Sequence, residues 1–120
     1  MSRTKSIAIK LNKKYKQIID TKAKMLNLNT SDYLLSLNKL IQLDKETIFN
    51  IKEFIKIELT LPRDYTLSIR ISEDEKEQLF KNIEKIGNDI SQADFLTSIG
   101  LLAEVDVKIS TKIKEEFLTE

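Results

Sequence analysis

The sequence predicts a mainly α-helical fold in which one strand–helix–helix unit occurs twice, the two copies sharing one core. Three observations carry this expectation. First, residues 6–12 (SIAIKLN) and 66–72 (TLSIRIS) both alternate apolar with polar or small residues, the period of a half-buried strand. Second, each is followed by apolar residues at spacings of four and three, which line one face of a helix. Third, the two copies stay in register over some forty residues, and internal repetition of that length marks a duplicated unit. Units below ~70 residues rarely bury enough apolar surface alone, so two small copies in a chain of 120 residues are expected to share a core.

Taken in order, Ile7, Ile9 and Leu11 share one face of the first strand, and Leu67, Ile69 and Ile71 share the corresponding face of the second. Each strand ends in a residue suited to capping a helix, Asn12 or Ser72. The first helix of each copy then places Ile19, Ala23 and Leu26 against Leu79, Ile83 and Ile86. Glu73, Asp74 and Glu75 crowd the first turn of the second copy, where acids favour the helix dipole. A break follows at Asn27-Leu28-Asn29 in one copy. In the other it runs over residues 87–91, two residues longer, with Gly87 placed as a C-terminal cap. Asn29 and Ser91 are the expected caps of the second helices. There Tyr33, Leu34, Leu37 and Leu40 match Phe95, Leu96, Ile99 and Leu102 at helical spacing.

A third helix is expected from residue 44 to about 57, with Ile51-Lys52-Glu53 matching Ile113-Lys114-Glu115 in a shorter, frayed counterpart at the C-terminus. One alternative stays open: Ile57, Leu59 and Leu61 alternate before the turn-like Pro62-Arg63-Asp64-Tyr65, a pattern that would also suit a hairpin with residues 66–72. Val105, Val107 and Ile109 alternate similarly. The boundaries that follow are a first repeat over 1–42, a crossover helix and linker over 43–65, a second repeat over 66–104 and a tail over 105–120.

Composition narrows the function. Hydrophobic residues make up 41% and charged residues 32% of the chain, a globular rather than a disordered balance. Cysteine is absent, which excludes disulfides and thiolate metal sites. Histidine is absent too, removing the commonest general base and transition-metal ligand. With glycine only at positions 87 and 100, no glycine-rich phosphate loop exists. The carboxylate pairs Glu73/Glu77 and Asp74/Glu75 read as a solvated helix face. The expectation is therefore a non-enzyme with no cofactor and no metal. No apolar run approaches the ~20 residues of a membrane span and no signal-peptide core follows Met1, so a cytoplasmic protein is expected.

The net charge of +1 conceals an asymmetry. Residues 1–62 hold twelve Lys/Arg against six Asp/Glu, whereas residues 63–120 hold eight against thirteen. In the first 24 residues Arg3, Lys5, Lys10, Lys13, Lys14, Lys16, Lys22 and Lys24 face only Asp20. A polyanionic partner for the N-terminal half is the natural inference.

A strand, a helix of about twelve residues, a short break and another helix, twice over, resembles the ribbon-helix-helix (MetJ/Arc) superfamily. The resemblance covers residues 6–40 and 66–102 and rests on pattern more than on identities. It implies that the two strands pair as a short two-stranded antiparallel β-ribbon and that the repeats interlock as an intramolecular pseudo-dimer. It further implies that the ribbon enters the major groove of double-stranded DNA. With the apolar faces inward, the residues offered to base edges are Ser6, Ala8, Lys10, Thr66, Ser68 and Arg70. Helix N-termini at Asn29, Thr30, Ser31, Ser91, Gln92 and Ala93 would hold phosphates through backbone N–H groups. Arg3, Lys5, Lys13 and Arg63 would add charge. Lys13 and Lys14 have acidic counterparts in Glu73 and Asp74, so stronger backbone contact is expected from the first repeat.

Tyr33 and Phe95 read as core. Phe49, Phe54, Ile55 and Phe117 exceed what a minimal core needs, and suit either bundle ends or further oligomerisation. The expected function is sequence-specific DNA binding, either as a transcriptional repressor and autoregulator or as an accessory protein at a plasmid transfer (relaxosome) or partition origin. The acidic second repeat offers a docking face for a further protein. Oligomeric state on DNA is open between the lone pseudo-dimer and a higher assembly. A helical protein-interaction module without DNA binding is the competing reading.

Overall fold

A computed structural model describes residues 3–57 and 59–103. Among the described residues there are five helices and one two-stranded antiparallel sheet: β1 (Lys5–Leu11), α1 (Lys13–Met25), α2 (Thr30–Leu40), α3 (Lys45–Ile57), β2 (Tyr65–Ile71), α4 (Glu73–Ile86) and α5 (Gln92–Leu102). The expected matches of the tail, Ile113-Lys114-Glu115 and Phe117, and the alternation of Val105, Val107 and Ile109 lie outside the described residues.

β1 pairs with β2 with Lys5 opposite Ile71 at one end and Leu11 opposite Tyr65 at the other. Alternation has its expected effect: Ile9, Leu11, Ile69 and Ile71 are buried, and Ile7 and Leu67 half-buried, while their neighbours face outward. The hairpin alternative for 57–61 is not what forms. α3 ends at Ile57, the Leu59 N–H donates back to the Phe54 carbonyl, and β2 takes β1 as its partner. From there the linker is fastened to the start of α1. Asn12 Nδ2 donates to the Pro62 carbonyl at 2.6 Å, and the Lys13 N–H donates to Asp64 at 2.9 Å.

Local chemistry explains the helix boundaries. Asn12 accepts from the Lys14 N–H and Ser72 from the Glu75 N–H, satisfying donors the first turn cannot. Only α4 completes a reciprocal capping box, because the Glu75 carboxylate accepts from the Ser72 N–H at 2.9 Å where α1 has Tyr15. α1 ends with Asn27 in the left-handed region (φ 57°). The Leu28 and Asn27 N–H groups bond back to the Ala23 and Lys24 carbonyls, a Schellman ending without glycine. α4 ends at Gly87 instead, and the longer loop leads to α5.

α2 and α5 form the centre. Residues 33–38 of one and 95–100 of the other are buried without interruption. They pack on each other, α1 packs on α5, and α2 packs on α4, so each copy's first helix touches the other copy's second. Buried residues from both copies make one cluster that includes Ile19, Tyr33, Leu34, Leu79, Phe95 and Leu96, joined by Ile51 of α3. Gly100 permits the closest approach: a Cβ there would meet Leu34 Cδ2 at 2.8 Å and Ile19 Cδ1 at 3.1 Å.

Candidate nucleic-acid interface

Strand parity places Ser6, Ala8, Lys10, Thr66, Ser68 and Arg70 on the outer face of the ribbon, and all six are exposed. In register, Ser6 stands opposite Arg70, Ala8 opposite Ser68 and Lys10 opposite Thr66. The two long cations therefore lie at opposite ends of the face, with two small residues between them. Four-residue spacing on a strand spans roughly 13 Å, comparable with the ~12 Å width of the B-DNA major groove. Lys10 makes no ion pair among the described residues. Arg70 donates weakly from Nη2 to the Arg3 carbonyl at 3.3 Å.

The helix N-termini flank this face. At α2, Asn29 accepts from the Asp32 N–H at 2.8 Å, and the side chains of Thr30 and Asp20 hydrogen-bond. Burial raises the Asp20 pKa, but bonds from Lys16 (2.6 Å) and Thr30 outweigh it and hold the carboxyl below its ordinary value. At α5, Ser91 accepts from the Asp94 N–H at 3.0 Å, and Gln92 and Ala93 begin the first turn half-buried. An open cleft of about 490 Å³ brings Arg3, Asn29, Thr30 and Ser31 together with Ser68 and Arg70, lined also by Asp32 and Leu67. A tighter cleft on the other side gathers Lys10, Arg63 and Asp94, and there Leu59 and Leu61 of the linker form part of the wall. Six of the expected contact residues thus share one cleft and two share the other. Ser91, Gln92 and Ala93 line neither cleft, nor do Lys5 and Lys13.

Sequence reasoning missed the acids at this surface. Arg3 makes a two-pronged pair with Glu75 (Nε–Oε1 and Nη2–Oε2, both 3.0 Å) and a second pair with Asp32. Hydrogen bonding to Glu75 raises the Arg3 pKa. Burial alone would raise the Glu75 pKa, but Arg3 and the Ser72 N–H outweigh it and hold the carboxyl below its ordinary value. Lys5 pairs with Glu73 at 2.5 Å, which lowers the Glu73 pKa, and Arg63 pairs with Asp94. Three of the four expected phosphate cations are thus already matched by carboxylates; Lys13 makes no ion pair among the described residues. Arg3 with Asp32 and Arg63 with Asp94 are pairs of the same kind, at the sequence offsets of 60 and 62 at which the two sequence patterns match. A hint was available, since Asp32 and Asp94 occupy matched positions in the first turn of each second helix.

Lys13 and Lys14 are exposed at the start of α1, and Glu73 and Asp74 at the start of α4. Among the described residues there is no group of acids that could hold a metal ion, and no helix is long and apolar enough to cross a membrane. No protein-family model matches the chain, and no curated protein or solved structure is detectably similar to it.

Proposed function

We propose that this protein binds double-stranded DNA in a sequence-specific way, as a ribbon-helix-helix pseudo-dimer folded from one chain. The observation that carries the reading is the ribbon register. Ala8 and Ser68, equivalent residues of the two copies, face each other, so the strands are arranged about a two-fold axis through that pair. The packing of α1 on α5 and of α4 on α2, together with the two Arg–Asp pairs, supports extending that two-fold relation to the helices. A two-fold ribbon with Lys10 and Arg70 at its ends presents donors to two half-sites in one major groove. Lysine and arginine suit guanine O6 and N7, serine and threonine suit several base edges, and Ala8 suits a thymine methyl.

Phosphates approach the free N–H groups of α2 and α5. There Arg3 and Arg63 are held by Asp32 and Asp94, and a phosphate oxygen competes with the carboxylate for the guanidinium. Such an exchange keeps the arginines positioned without DNA and moderates the affinity gained from them. Lys10 and Lys13, which make no ion pair among the described residues, carry more of the electrostatic attraction. Repression from an operator and an accessory role at a plasmid transfer or partition origin use the same contacts. The exposed acids on α4 give a second protein somewhere to dock in either role.

A second reading has one observation in its favour: the carboxylates that occupy Arg3, Lys5 and Arg63 are what a protein-interaction module with no DNA role would also show. Selection of bound duplexes from a random pool, followed by a salt titration of the winner, separates the two. Enrichment of one short motif whose affinity falls steeply with salt supports the DNA reading. Absence of enrichment and of binding at low salt sinks it.

A further inference from the structure

The register that sets Ala8 against Ser68 makes the two ends of the ribbon equivalent in backbone, but their side chains differ in kind. One end carries Arg70 opposite Ser6, and the other carries Lys10 opposite Thr66. Around Arg70 the neighbouring cations are held by acids: Lys5 pairs with Glu73 at 2.5 Å, and Arg3 pairs with Glu75 at 3.0 Å and with Asp32. Glu73 and Asp74 begin α4 just after β2, and both are exposed. Around Lys10 the sign reverses. Lys13 and Lys14 begin α1 just after β1 and are exposed, as is Lys10 itself. The linker runs past this end, fastened by the bonds from Asn12 to Pro62 and from Lys13 to Asp64. It brings Arg63, paired with Asp94, and it walls the cleft beside Lys10 with Leu59 and Leu61.

We propose that the DNA site is non-palindromic and bound in one orientation, its Arg70 half read by base contacts and its Lys10 half held mainly by charge. This inference rests on the DNA reading above and gives the complex a direction. A guanidinium is a planar fork that meets guanine O6 and N7 with two bonds at once. The weak bond from Arg70 to the Arg3 carbonyl steadies that fork along the strand. Carboxylates beside it repel phosphates, so binding at this end depends on short-range fit to base edges. A lysine ammonium is instead a hydrated point charge on a flexible stem. Lys10, Lys13 and Lys14 together attract the backbone of any duplex, an attraction that tolerates changes of sequence but not of salt. Turning the duplex round would set the guanine under Lys10, losing the forked contact and gaining nothing at the acidic end.

The test uses the full chain and the duplex selected from a random pool. Because the sequence lacks cysteine, Asp74→Cys gives a single attachment point for an iron–EDTA cleavage reagent at the Arg70 end. Strand scission is expected near one end of the duplex and not the other. Base changes in the cut half should each weaken binding roughly tenfold or more, and changes at the mirrored positions of the far half by much less. The double variant Lys13→Ala/Lys14→Ala should lower the salt slope by about 1 per lysine and leave the base preferences in place. Arg70→Ala should do the reverse, erasing the preference in the cut half with little change of slope. Scission at both ends, a palindromic winner or equal sensitivity of the two halves overturns the proposal while DNA binding stands. If no duplex is selected at all, the DNA reading falls and this proposal with it.

Discussion

Asn82 of α4 donates from Nδ2 to both the backbone carbonyl and the Oδ1 of Asn38 on α2, each at 2.9 Å, and both residues are almost wholly buried. Its own Oδ1 accepts from Gln78 at 3.0 Å. The Asn38 carbonyl is among the last four of α2, which have no acceptor role left inside the helix. In the other copy the equivalent residue, Lys22 of α1, reaches the end of α5 and donates to the Leu101 and Ala103 carbonyls at 2.6 and 2.8 Å. The C-terminal ends of α2 and α5 are thus closed by an amide on one side and an ammonium on the other. Asn82→Leu removes the donor and strands the buried Asn38 amide, so denaturant unfolding should show a loss of about 1–3 kcal/mol. An unchanged midpoint would mean that the pair contributes nothing net.

Tyr33 sits in the core with its hydroxyl unpartnered, and its counterpart Phe95 carries no hydroxyl. Tyr33→Phe should therefore hold or raise stability, by about 1 kcal/mol at most. Burial pushes the Tyr33 phenol up to about 12. Because the folded value is raised, the neutral form's contribution is complete below pH ~10 and is lost as pH rises through about 12. Phenolate absorbance should show a late step near that pH, and Tyr33→Phe should delete it.

Acid should weaken the fold through Glu75. Its pKa is held below the ordinary 4.5, so its contribution is present above that value and lost as pH falls through the lowered one. Asp20, lowered from 3.8, acts in the same direction. Thermal melts between pH 6 and pH 2 should show Tm falling in the lower half of the range, and Glu75→Gln should flatten that limb. An identical acid limb in the variant would assign the loss elsewhere.

Lys10→Ala and Arg70→Ala should each weaken binding to the selected duplex by ~1–3 kcal/mol with the melting temperature retained. Lys13→Ala should weaken binding to all sequences alike and reduce the salt slope by about 1. Glu73→Gln frees Lys5 and should steepen that slope. If the ribbon variants bind as tightly as the parent, base readout by this face is refuted.

Gly100→Ala introduces a Cβ 2.8 Å from Leu34 and 3.1 Å from Ile19, forcing both off their packing positions. A cost of about 1–3 kcal/mol is expected from overpacking. The reciprocal change at the matched position, Asn38→Gly, should also destabilise, because it strips one of the two acceptors of Asn82.

The strands, the five helices and the outward parity of Ser6 to Arg70 could be read from residue patterns, because periods of two and 3.6 are local properties. What β2 pairs with was not local. The hairpin with residues 57–61 satisfied the same alternation, and only the whole core selects β1. Nothing in the sequence marks Asn38 and Asn82 as buried, since polarity signals exposure until a buried partner is known. Arg3 and Glu75 stand 72 positions apart, and nothing near either names the other. Asn27 was read only as part of a break; that asparagine tolerates the left-handed region would have suggested how α1 ends.

Pairing Lys5 with Ile71 also sets an order of events during synthesis. A ribosome releasing the chain from its N-terminus exposes β1 first, but its hydrogen-bonding edge has no mate until some sixty further residues have emerged. Through that interval Ile7, Ile9 and Leu11 are an open edge, and α1 and α2 lack the helices that cover them. Closing so long a loop comes late and slowly. Truncated products ending before β2 therefore carry a sticky, unpaired strand, and are the species most prone to aggregate or to be cleared by proteolysis.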